Sequence, residues 1–154
     1  MLGIELLHAP LEVFVVELAG SSDGAIRRVR VAVDGLDGTV RRLDADVAAA
    51  AGVGSAKLLP ATVSRESAHY ALANEFPFHV LQVSLRSRTA WRIARVDALG
   101  TLAYPYWVLH ELYGERRGFR ALDAWSGAHV GARGRASLLR GMVAARRESL
   151  GGSA

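Results

Sequence analysis

Two segments ninety-odd residues apart in this chain follow the same order of residue types, and that recurrence constrains the fold more than any other feature. The first, Pro10–Val40, opens on a proline and enters a β-rich run in which Val13, Val15 and Glu17 alternate with Phe14, Val16 and Leu18. Gly20 to Gly24 turns the chain, and Val29, Val31 and Val33 then alternate with Arg28, Arg30 and Ala32, an apolar face set against a wetter one. Asp34-Gly35-Leu36-Asp37-Gly38 closes the unit with residues that tolerate the positive φ of a tight turn. The second segment, Pro105 to Val130, repeats the plan. A run from Tyr106 to Leu112 meets a turn at Gly114–Gly118, and Phe119–Asp123 returns into Ala124, Trp125, Ser126 and Gly127. Both units start after a proline and end in Asp, three residues, then Gly. Such a pair predicts a pseudo-symmetric domain with an internal duplication, 10–40 and 105–130.

Between the units the pattern turns helical. Asp46–Ala51 predicts a short helix stopped by Gly52. Ser64 caps a helix over Arg65–Glu75 with Ala68, Leu72 and Phe76 on one stripe, and Pro77 ends or kinks it. Phe78–Ser87 fits strand or helix equally. Trp91–Val96 alternates as a strand and continues past Gly100, a turn or bulge, into the second hairpin. Arg135–Glu148 forms a terminal helix with the stripe Leu138, Leu139, Met142 and Val143. The expected class is α+β, a mostly antiparallel sheet from two similar β-hairpins with helices packed on one face. Residues 1–150 make one domain and 151–154 a flexible tail.

Composition narrows the function. With no cysteine there is no thiolate nucleophile and no Cys-ligated zinc. The net charge of +4 is unevenly spread: the first 46 residues are net acidic and the remainder is Arg-rich. Met1–His8 holds Glu5 and lacks the basic start of a secretory signal, so the expected location is cytoplasmic.

The second unit, Tyr104-Pro105-Tyr106-Trp107-Val108 followed by Leu122-Asp123-Ala124-Trp125-Ser126-Gly127-Ala128-His129-Val130, resembles the hairpin of PepSY-like domains. There a strand leads through an Asp-Ala-x-Thr-Gly turn into a final strand. Ser126 stands at the usual Thr, and the first unit departs further, with Gly35 for Ala and Asp37 for Thr. The resemblance implies a module without catalysis, associated with protein binding and restraint of a partner enzyme, usually outside the cytoplasm.

Other motifs dissolve on inspection. His110-Glu111-Leu112-Tyr113-Gly114 begins like a zinc-protease helix, but the second His is Gly114 and a strand would send His110 and Glu111 to opposite faces. Gly52–Lys57 lacks the Walker spacing. No catalytic residue, metal site or cofactor is expected. The aromatic group Tyr104, Tyr106, Trp107, Tyr113 and Trp125 is the candidate partner-binding set, for a partner protein or a second copy, because Tyr and Trp combine large area with a polar handle. The alternative is nucleic-acid or anionic-surface binding by Arg133, Arg135, Arg140, Arg146 and Arg147.

Overall fold

The computed structural model describes residues 2–22, 24–43 and 57–152. In chain order the elements are β1 (Gly3–Gly20), β2 (Ile26–Asp34), β3 (Val40–Arg42), β4 (Lys57–Leu58), α1 (Arg65–Ser87), β5 (Trp91–Tyr113), β6 (Arg116–Asp123) and α2 (Ala132–Gly151). Five strands run antiparallel in the order β3-β2-β1-β5-β6, and β4 pairs in parallel with Leu7 and His8 of β1. The class is α+β. No helix among the described residues is long and apolar enough to cross a membrane. The helix expected at Asp46–Ala51, the Gly52–Ala56 loop and the last two residues of the tail lie outside the described residues.

β1 and β5 are the spine, paired from Gly3–His110 to Gly20–Trp91. β2 joins the second half of β1, and β6 joins the second half of β5. The pairs Pro10–Ala103 and His8–Pro105 flank the pair Ala9–Tyr104, so the two prolines sit symmetrically about the sheet centre. The Asp turns match atom for atom in their backbone bonding. Gly38 N–H donates to the Asp34 carbonyl and Gly127 N–H to the Asp123 carbonyl, each at 2.8 Å. Gly35 N–H reaches the carbonyl of Pro10 and Ala124 N–H that of Pro105. Gly38 and Gly127 adopt φ of 77° and 72°, a region that a β-carbon disfavours. The bulge expected at Gly100 is present: Val13 pairs with Gly100 and Phe14 with Ala98, leaving Leu99 over.

Alternation along β1 makes two cores. Leu7, Ala9, Leu11 and Val13 point to one face with Ala32, Tyr104, Tyr106 and Val108, where Leu138 of α2 covers them. Phe14, Val16 and Leu18 point to the other with Val29, Val31 and Val33, under Ala68, Leu72, Phe76 and Val80 of α1. The two helices therefore lie against opposite faces, which corrects the expectation of a shared one. An apolar stripe specifies that a helix is buried, not which side of the sheet it reaches.

Pro77 does not end α1, and Phe78–Ser87 is helix. An interior proline costs about 3 kcal/mol. Phe76 and Val80 straddle it on the same stripe and are 3% and 7% exposed, and burying two such side chains returns roughly 1.5–3 kcal/mol each. The stripe on α2 is narrower than expected. Ser137, Leu138 and Gly141 are buried and Met142 and Ala145 pack beside them, whereas Leu139 and Val143 are exposed. Gly141 is required by closeness: a β-carbon there would meet Leu59 at 2.9 Å and Leu36 at 3.0 Å.

Candidate binding face on the second hairpin

The face that α1 covers on the second half of β1 continues, without a helix from the described residues, over the first half of β1, the second half of β5, and β6. Register fixes what it presents. Leu6 pairs with Trp107 and Trp107 with Leu122; Ile4 pairs with Leu109 and Leu109 with Arg120. Paired residues share a face. Ile4 is 54% exposed and Trp107 43%, with Leu6, Leu109 and Leu122 half-buried around them. The result is an apolar three-strand patch centred on Trp107.

A polar network borders it. Arg120 donates through Nε and Nη2 to the Glu111 carboxylate, and the Tyr113 hydroxyl donates to the same group. The Arg120 hydrogen bond, then that of Tyr113, holds the Glu111 carboxyl below the usual carboxylate range. The Tyr113 ring lies so close to Gly118 that a β-carbon there would meet it at 3.0 Å. Trp125 is exposed on the adjacent turn, where its N–H donates to Asp123 Oδ1 at 2.9 Å.

The five aromatic candidates thus divide. Trp107, Tyr113 and Trp125 are exposed, and Tyr104 and Tyr106 belong to the opposite, α2-covered core at 6% and 8% exposure. Buried tyrosines cannot meet a partner, so they leave the candidate surface. Their role is internal. The Arg41 guanidinium sits 4.5 Å from the centre of the Tyr104 ring, and the Tyr104 hydroxyl donates to Asp123 Oδ2 at 2.8 Å. Burial, reinforced by the Asp123 bond, raises the Tyr104 pKa. Asp34 on the other turn is also raised, chiefly by burial, against the opposing hydrogen bond from Leu36 N–H. A cleft of about 280 Å³ lies between the turns, lined by Asp34, Arg41, Tyr106, Asp123 and His129 among others. Small-molecule sites span roughly 300–1,000 Å³ and are mostly apolar. This cleft lies just under that range, and within it Nε and Nη2 of Arg41 and Oγ1 of Thr39 are buried without a hydrogen-bond partner.

The Arg set is not brought together. Arg133, Arg140 and Arg147 recur every seventh position and share one flank of α2, while Arg135 and Arg146 fall on the other. All five are exposed. An open cleft of about 670 Å³ elsewhere on the sheet also carries Arg, but Arg28 pairs with Glu17 and Arg95 with Asp97, so its charge is mixed. His110 and Glu111 face opposite sides: Nε2 of His110 lies 2.6 Å from Glu5, and Glu111 meets Arg120. Among the described residues no group of three His, Asp or Glu could hold a metal ion.

Sequence reasoning missed Ile4, Leu6, Leu109 and Leu122. Ile4 and Leu6 belong to a strand that was expected to begin only at Pro10, and the alternation Ile4, Glu5, Leu6 was the available signal. Comparison of the chain with protein-family models, characterised proteins and solved structures finds no match.

Proposed function

We propose that this chain is a non-enzymatic protein-interaction module that seats a partner polypeptide on the outer face of its second hairpin. One observation carries the reading: Trp107, nearly half exposed, stands between Leu6 and Leu122 on an apolar sheet face that α1 leaves open. A half-exposed Trp bordered by apolar neighbours and rimmed by polar side chains has the anatomy of an interface hot spot. The charged rim of Arg120, Glu111 and Tyr113 gives the partner orientation more than affinity. The PepSY-like resemblance of Tyr104–Val130 points the same way, towards binding without catalysis. Nucleic-acid binding by α2 is the rival reading, and it has two separated Arg rows in place of one basic groove.

The test is differential capture from the cells that express the chain. Wild type is expected to retain a protein that Leu122→Asp and Ile4→Asp lose, with Arg140→Glu retaining it. Equal capture by wild type and the two face variants, all folded by thermal unfolding, refutes the reading.

A further inference from the structure

Among the described residues, the first half of β5 has a neighbour on only one side. From Trp91 to Tyr104 it pairs with β1, and β6 begins its pairing only at Tyr106. Among the described residues nothing pairs with its outer edge, and every residue from Arg92 to Leu99 is exposed. Ile93, Val96 and Leu99 are 37%, 40% and 58% exposed. Proteins usually shorten, bulge or charge such an edge, because its free N–H and C=O groups template further pairing; here bulges at Ala94 and Leu99 leave Arg95, Val96 and Asp97 in the regular stretch between them.

This edge reads the same in both directions. Ile93-Ala94-Arg95-Val96-Asp97-Ala98-Leu99 is a chemical palindrome about Val96, with Ile answering Leu, Ala answering Ala and Arg answering Asp. We propose that the chain forms a two-fold dimer by antiparallel pairing of this edge with the same edge of a second copy, the axis passing at Val96. In that register Val96 meets its own copy and each Arg95 stands opposite an Asp97. Arg95 and Asp97 pair in consecutive register with Glu17 and Val15, without a bulge between them, and already contact each other at 2.9 Å. The dimer thus gathers four alternating charges on one face. Centring the axis on Arg95 or Asp97 instead would oppose like charges, which destabilises a strand pair. Charge therefore selects both the partner and the register.

The surface next to the edge is also apolar. A cleft of about 420 Å³ lined by Pro77, Leu81, Trp91 and Ile93 joins it to α1, whose Leu81 is 57% exposed. A closed two-fold contact of identical patches is the commonest oligomer geometry. The contact is distinct from the Trp107 face, which lies at the other end of β5.

Sedimentation equilibrium of the full chain and two charge variants tests this. Wild type is expected to dimerise. Arg95→Asp and Asp97→Arg each oppose like charges twice and are expected to weaken self-association at least tenfold. Mixed one to one, they put opposite charges back in both pairs, and a heterodimer is expected although neither chain regains its internal Arg95–Asp97 contact. Val96→Arg, which leaves the ion pair intact, is expected to be monomeric. All three side chains are exposed, so unchanged thermal unfolding verifies the fold. A monomeric wild type, a dimer indifferent to these substitutions, or a mixture that stays monomeric overturns the proposal.

Discussion

Tyr106→Ala and Trp107→Ala change adjacent residues of one strand that point to opposite faces, and they are expected to fail differently. Tyr106 is 8% exposed, in the α2-covered core beside Arg41 and Tyr104, with ring centroids 5.2 Å apart for the tyrosine pair. Truncating a buried aromatic leaves a cavity and costs about 3–5 kcal/mol. In a chain of this size each kcal/mol lowers Tm by roughly 2–4 °C, so a fall of about 6–20 °C is expected. Trp107 is 43% exposed, and water fills the space it leaves. Only about half the transfer energy of a large apolar side chain is then lost, about 1.5 kcal/mol, or roughly 3–6 °C. Its larger effect falls on binding. An anchor at an interface centre contributes about 2 kcal/mol or more, roughly a thirtyfold loss of affinity for the captured partner. The assay is differential scanning calorimetry beside titration with that partner. Equal thermal losses for the two variants, or a stable Trp107→Ala with undiminished binding, would refute the reasoning.

Asp34→Asn keeps the acceptor for Leu36 N–H and removes a buried charge, so it is expected to match or exceed wild-type stability at neutral pH. Because burial raises the folded pKa of Asp34 above 3.8, wild type gains stability as pH falls through that raised value towards 3.8, and thermal melts between pH 7 and 4 should show the gap closing. Gly141→Ala is expected to destabilise despite the better helix propensity of Ala, by about 1–3 kcal/mol, since its β-carbon would press on buried Leu59 and Leu36; Gly151→Ala, with open space around it, should not. Reversing Arg140, Arg146 and Arg147 to Glu is expected to leave partner capture unchanged, and a large loss with a steep salt dependence would favour the anionic-ligand reading.

Much of this fold was legible because its signals are local. Asp34 and Asp123 with Gly38 and Gly127 announce turns whose backbone bonds then match. The alternation of Val29, Val31 and Val33 names the buried side of β2, and Gly100 marks the bulge. What was not legible depends on distance. The reach of β1 back to Gly3 comes from pairing with residues a hundred positions later, and Leu6-Leu7 looks apolar on both sides because one faces α2 and the other the open patch. Pro77 sits in a helix because Phe76 and Val80 are buried around it, a tertiary gain that outweighs a local rule. Leu139 and Val143 look like core on a helical wheel, yet only the α2 side bearing Leu138 and Gly141 meets the sheet. For the candidate site, sequence alternation separated Trp107 from Tyr104 and Tyr106 but did not say which side was covered.

The most direct test of the binding face is photo-cross-linking within the cells that express the chain, comparing a photoreactive residue at position 107 with one at position 140. Both substitutions are at exposed positions, and folding is verified by thermal unfolding. The account predicts a discrete protein adduct from position 107, lost when Leu122→Asp is added, and none from position 140. A nucleic-acid adduct from position 140 with nothing from position 107 would contradict it.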